Sequence, residues 1–118
     1  MSETCVPTGV ELKSTDFGYT LSLIGGKYKM IIMYWLFENK VMRHNELKRC
    51  IATIPFKTLS VMLKELERDD LIIRKEFPQI PPKVEYSLSE RGLSLIPLLD
   101  MMCEWGEKNR LSVSEVGK

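Results

Sequence analysis

Apolar residues recur at helical spacing along the first part of the chain and then change over to a two-residue alternation. Leu59, Met62, Leu63 and Leu66 hold the i, i+3, i+4, i+7 positions of one buried helix face, and Lys57, Ser60, Val61, Lys64 and Arg68 occupy the opposite face. After Leu71 the residues become β-favouring, with Ile72, Ile73 and Phe77 followed by Val84, Tyr86 and Leu88 alternating with Lys83, Glu85 and Ser87. This predicts two strands. Between them the run PQIPP, residues 78–82, carries adjacent prolines that fix φ and cannot donate ladder hydrogen bonds. It predicts a stiff, projecting hairpin tip.

Upstream, a cap signal at Thr15 and Asp16 opens a helix through Tyr19, Leu23 and Ile24, which Gly25 and Gly26 end. From Lys27, the stretch KYKMIIMYWLFEN predicts a central helix that buries Met30, Ile31, Tyr34 and Trp35 with their neighbours. Residues 43–51, RHNELKRCI, form a short helix with Leu47, Cys50 and Ile51 inward and Lys48 and Arg49 outward. Ala52, Thr53 and Ile54 make a turn, and Pro55 suits a first helical position. Helix, turn, helix and hairpin together define an α+β, mostly helical fold: a winged helix-turn-helix with a β-hairpin wing. Ser89 caps a last helix containing Leu93, Ile96, Leu99, Met102, Cys103 and Trp105, which Pro97 should bend. Leu95, Leu98 and Met101 lie off its inner stripe and exceed what one small core covers, which predicts dimerisation helices at the N- and C-terminal ends of the fold. Residues 1–14 and 110–118 are read as tails around one domain at 15–109.

Composition narrows the function. The 118 residues suit a single domain, and a formal charge of +1 places any nucleic-acid reading on local charge alone. Residues 43–75 hold eight Lys or Arg against five Asp or Glu, a modest local excess. Cys5, Cys50 and Cys103 are odd in number and widely spaced, which argues against a disulfide framework or a zinc site and for a reducing compartment. Cys50 and Cys103, at apolar helical positions, are expected to be buried. His44 is the single histidine and has no partner at ligand spacing, so no metal and no cofactor is expected. IIMYWLF spans seven residues, short of the roughly 20 that cross a bilayer, and no basic-then-apolar leader is visible. A soluble cytoplasmic protein follows as the expectation. No nucleophile–base pair, carboxylate pair or phosphate loop has supporting features, so no enzyme is read.

The chain resembles the HxlR branch of the MarR-like winged-helix transcriptional regulators. IGGKYK at 24–29 is similar to that family's IGGKW, RHNELKRCI to its RFxEL segment, and LSVMLKELERDDLI at 59–72 to its recognition helix and following strand. PPKVEYSLSERG at 81–92 matches PPxVEYxLTxxG, and Glu104-Trp105-Gly106 its terminal WG. Departures are Tyr28 for Trp, His44 for Phe, Pro55 for the Ser that opens the recognition helix, and Asp70 for Gly. The resemblance implies a homodimer on a pseudo-palindromic DNA operator, with a small-molecule inducer as a further partner and no membrane. Residues 56–69 would lie in the major groove, bringing Lys57, Ser60, Val61 and Lys64 to bases and phosphates, with Thr58 reaching a phosphate or packing. Arg43 would meet the DNA backbone or stand as an ordinary surface arginine; Gln79 and Lys83 would reach the minor groove, and Arg74 or Lys75 a phosphate, unless the wing folds back on its own subunit. Several relatives look like thiol switches whose Cys lies just ahead of the first helix. Lys13 to Asp16 occupy that place here, and Cys5 lies 20 residues before Gly25, which leaves Cys5 as the one candidate redox thiol. The competing class is a winged helix that docks proteins without binding DNA.

Overall fold

The computed structural model describes residues 6–111. After a 3-10 turn at Leu12–Ser14, four helices follow: α1 Asp16–Ile24, α2 Lys29–Asn39, α3 His44–Cys50 and α4 Phe56–Arg68. The hairpin β1 Ile72–Phe77 and β2 Lys83–Leu88 comes next, then α5 Glu90–Leu93 and α6 Ile96–Asn109. Thr15 caps α1 as its spacing suggests, accepting from the Gly18 amide at 3.0 Å. The 3-10 turn lies inside the segment read as a tail.

One core joins these elements. Ile32, Met33 and Leu36 of α2 meet Leu47, Ile51 and Ile54, the α4 residues Leu59, Leu63 and Leu66, and Leu71, Ile72 and Leu99. Burial of each such side chain is worth about 1.5–3 kcal/mol. With three fully buried leucines, α4 has one rotational setting, and the face of Lys57, Val61 and Lys64 is forced outward. On α2 the inner face is displaced from the expected one. Ile31 is 39% exposed, and Met30, Tyr34 and Trp35 are half-buried, because Lys29, Ile32, Met33 and Leu36 take the inner stripe.

The chain leaves α4 through a Schellman closure, with the Leu71 amide bonding the Leu66 carbonyl at 2.9 Å and the Asp70 amide that of Glu67 at 3.0 Å. Asp70 sits at φ 61, the left-handed region that glycine enters most easily and aspartate tolerates. The antiparallel register runs from Ile72 opposite Leu88 to Phe77 opposite Lys83. Met42 bridges Tyr86 through two backbone bonds of 2.8 and 3.0 Å, which pins the hairpin to the start of the helix-turn-helix. Ser89 caps α5 by accepting from the Gly92 amide at 2.9 Å and donates to the Asp70 carbonyl at 2.7 Å. Gly92 is required by close approach, since a Cβ there would stand 2.1 Å from the Leu71 carbonyl oxygen.

Three further expectations are corrected. The last helix is two helices that break at Ser94 and Leu95, and Pro97 sits in the first turn of α6, where its missing donor costs nothing. Pro55 precedes α4 rather than starting it. Cys50 and Cys103 are both exposed. On α3 the inward position goes to Leu47, with Ile51 buried just past its end, and α6 leaves the core after Leu99, so every residue from Asp100 to Glu104 faces outward.

Candidate nucleic-acid interface

The outward face of α4 carries Lys57, Val61 and Lys64, all exposed, and neither lysine makes an ion pair among the described residues. Thr58 is half-buried, and Ser60 is half-buried on the flank toward the hairpin. Pro55 provides no side-chain acceptor, so the first amides of α4 are uncapped by any side chain. Arg68, at the far end of the same face, bonds Asp69 at 3.1 Å through two nitrogens and is therefore neutralised.

Arg43 is the exposed N-cap residue of α3; its own amide donates to Glu46 Oε1 at 2.8 Å, leaving the guanidinium in solvent. On the hairpin, Arg74 pairs with Glu76 at 3.3 Å and lies against the Tyr86 hydroxyl. Gln79 is exposed in the loop, next to Ile80, which is 99% exposed at the tip. Lys83 is half-buried: its ammonium pairs with Glu85 at 3.4 Å and sits 4.6 Å from the centre of the Phe77 ring, which Lys75 approaches from 5.1 Å. Lys83 thus belongs to the stem of the hairpin, whereas Gln79 belongs to its tip. Cys5 lies outside the described residues.

The structure brings Ser60, Lys64 and Arg74 together in one cleft between α4 and the hairpin, completed by His44, Leu63, Glu67 and Tyr86, with a volume of about 350 Å³. Arg43, Lys57 and Gln79 do not line it. His44 enters at the start of α3, packs against Phe56 with ring centres 4.4 Å apart and the rings tilted by 45°, and places Nε2 3.1 Å from Ser60 Oγ. Burial first, and the nearby Lys48 charge second, hold its pKa below the ordinary imidazole value.

Two features escaped the sequence reading. His44 and Ser60 are 16 residues apart on different helices, and no periodicity links them. Lys29, read only as part of a helix start, is buried and pairs with Glu65 at 2.7 Å, tying α2 to the flank of α4 opposite the cleft. The hydrogen bond and charge of Lys29 hold the Glu65 carboxyl below its usual range. No local pattern marks it, since Lys29 opens the helix as an ordinary polar first residue would. No cluster of His, Cys, Asp or Glu able to hold a metal occurs among the described residues, and no helix there is long and apolar enough to cross a membrane.

A short helix, a tight turn, an amphipathic helix with a free basic face and an adjoining hairpin are the parts of a winged helix-turn-helix DNA-binding protein. The HxlR-like helix-turn-helix family model matches residues 23–113, and the chain belongs to that family. It is 60% identical over 99 residues to the uncharacterized HTH-type transcriptional regulator BH0655 of Halalkalibacterium halodurans, covering 84% of this chain and 88% of that protein. It is 58% identical over 94 residues to the HTH-type transcriptional regulator YdzF of Bacillus subtilis, covering 80% and 86% respectively. Among solved structures, the redox regulator HypR in its oxidised form matches with a TM-score of 0.74 at 44% identity, covering 80% of this chain and 96% of that one. The protein is a DNA-binding transcriptional regulator of the HxlR type.

Proposed function

We propose that this regulator acts as a cytoplasmic homodimer, by binding rather than by catalysis, with α4 of each subunit in a major groove of a pseudo-palindromic operator. The observation that carries this reading is the exposed face of Lys57, Val61 and Lys64, free of ion pairs and held outward by three buried leucines. Lys57, Ser60, Val61 and Lys64 meet bases and phosphates, Thr58 reaches a phosphate from the flank, and Arg43 and Arg74 hold the backbone. Gln79 at the tip of the wing meets the adjacent minor groove, and Lys83 supports the wing from its stem. Residues 15–109 form the DNA-binding domain, with tails on either side.

Dimerisation through α1 and α6 is supported by the apolar surface they leave open. Met101 and Trp105 are 65% and 68% exposed, and Phe17, Leu21, Ile31, Leu98 and Met102 extend the same character. Apolar grooves between α1, α2 and α6 lie on this surface. A small-molecule inducer seated there would act by changing the spacing of the two α4 helices, since only binding that discriminates between spacings shifts the equilibrium.

Hydroxyl-radical footprinting on a duplex selected from a random library tests the arrangement. Two protected patches about 34 Å apart on one face of the DNA are expected. A single short patch, with the protein sedimenting as a monomer, would refute the dimeric reading. A Trp105→Asp, Met101→Asp variant should sediment as a monomer and lose affinity steeply.

A further inference from the structure

The hydrogen-bond inventory of Ser60 is unusual for a serine inside a helix. Ser22 inside α1, and Ser94 at the end of α5, donate to backbone carbonyls three residues earlier, at 2.6 Å each. Ser60 does not. Its one partner among the described residues is His44 Nε2 at 3.1 Å. The direction of that bond follows from the other end of the imidazole. His44 Nδ1 is buried without a partner among the described residues, and a buried N–H with no acceptor costs more than a bare lone pair. The proton therefore sits on Nε2, which donates to Ser60 Oγ. With its oxygen occupied as an acceptor and no carbonyl taking its proton, the Ser60 hydroxyl is left to donate into the cleft.

Two cationic side chains and one carboxylate line that cleft beside Ser60. Lys64 lines it without an ion pair, and Arg74 lines it from β1, opposed by Glu67 and by the Arg74–Glu76 pair at its rim. A hydroxyl donor beside a free ammonium and a guanidinium is the donor set that takes an anionic oxygen. We infer that the cleft between α4 and the hairpin seats one backbone phosphate of the bound duplex, and that His44 is the positioning residue that turns Ser60 into a donor toward it. The inference rests on the major-groove reading of α4 and adds a named phosphate seat and a fixed imidazole tautomer. His44 stands where the resembling family carries Phe, so Phe at this position keeps a ring against Phe56 and removes the bond to Ser60.

The test uses the full chain and a duplex selected from a random library. Long-range proton–nitrogen NMR on the single histidine should report a neutral ring protonated at Nε2; a ring protonated at Nδ1 overturns the positioning role. His44→Phe and Ser60→Ala should each weaken binding about tenfold, and the double variant by no more than either single change. A scan replacing one phosphate at a time by a neutral methylphosphonate should find a position that weakens the wild type about tenfold or more and weakens Ser60→Ala by clearly less, because only the Lys64 and Arg74 contacts remain to be lost there; equal losses at every position overturn the seat. If both variants bind like the wild type while Lys57→Ala still binds weakly, the seat is refuted and the groove reading stands. If the Ser60→Ala loss follows a base pair instead of a phosphate, the seat is likewise refuted. A wild type that binds no duplex with salt-dependent affinity would remove the major-groove reading itself.

Discussion

Removing either partner of the Lys29–Glu65 pair should destabilise the fold, and by unequal amounts. The Lys29 side chain is 7% exposed and that of Glu65 33%, with 2.7 Å between the charged atoms. In Glu65→Ala the ammonium stays inside with no acceptor, a situation that costs about 3 kcal/mol. In Lys29→Met the thioether fills the inner stripe beside Ile32 and Met33, and the stranded carboxylate is already within reach of water, so about 1 kcal/mol is expected. At a urea m-value of about 2 kcal/mol/M, the difference of about 2 kcal/mol separates the two midpoints by about 1 M. Both variants should be compared at one protomer concentration, because a dimer's midpoint depends on it. Lys29 holds the Glu65 carboxyl low, so the pair's contribution is present above the ordinary carboxylate range and is lost as the pH falls through the depressed value in the folded state. Glu65→Ala should flatten that acid limb. Equal midpoints for the two variants, or Lys29→Met the less stable, would show that the asymmetry of burial does not govern the pair.

Two further outcomes follow from the packing. Gly92→Ala would place a methyl group against the backbone carbonyl of Leu71, which cannot swing aside, and should cost about 2 kcal/mol or more by urea unfolding; a wild-type midpoint contradicts the close approach. His44 has a folded-state pKa below the ordinary value of about 6.5, so the unfolded chain takes up the proton first and stability should fall as the pH drops below that value. As His44 is the single histidine, His44→Phe should remove this slope; a slope that persists in the variant assigns it to other groups.

The elements that could be read from the sequence are those whose pattern is local. The apolar stripe of α4 and the alternation of β2 each repeat within a few residues, and the proline-rich tip has one conformational meaning. The basic face of α4 was legible for the same reason, since it is the complement of its buried stripe. What could not be read depends on which neighbour covers a given face. Almost every position of α2 is apolar, so periodicity could not distinguish the inner Ile32 from the outer Ile31, and the burial of Lys29 has no local signature. Cys50 and Cys103 occupy positions that suit a core, but α3 is too short to bury more than Leu47, and α6 runs past the core after Leu99. The His44–Ser60 bond is tertiary, created by the angle at which α3 meets α4. In the sequence its components are a histidine without a metal partner and a serine on a basic face, with nothing local to join them.

The measurement that bears most directly on DNA recognition by α4 is equilibrium binding of a selected duplex by fluorescence anisotropy across a series of salt concentrations, for the wild type and for Lys57→Ala, Lys64→Ala. Two lost phosphate or base-edge contacts should weaken binding and make the plot of log affinity against log salt shallower by up to about two. Unchanged affinity and slope in the double variant would contradict the placement of this face in the groove.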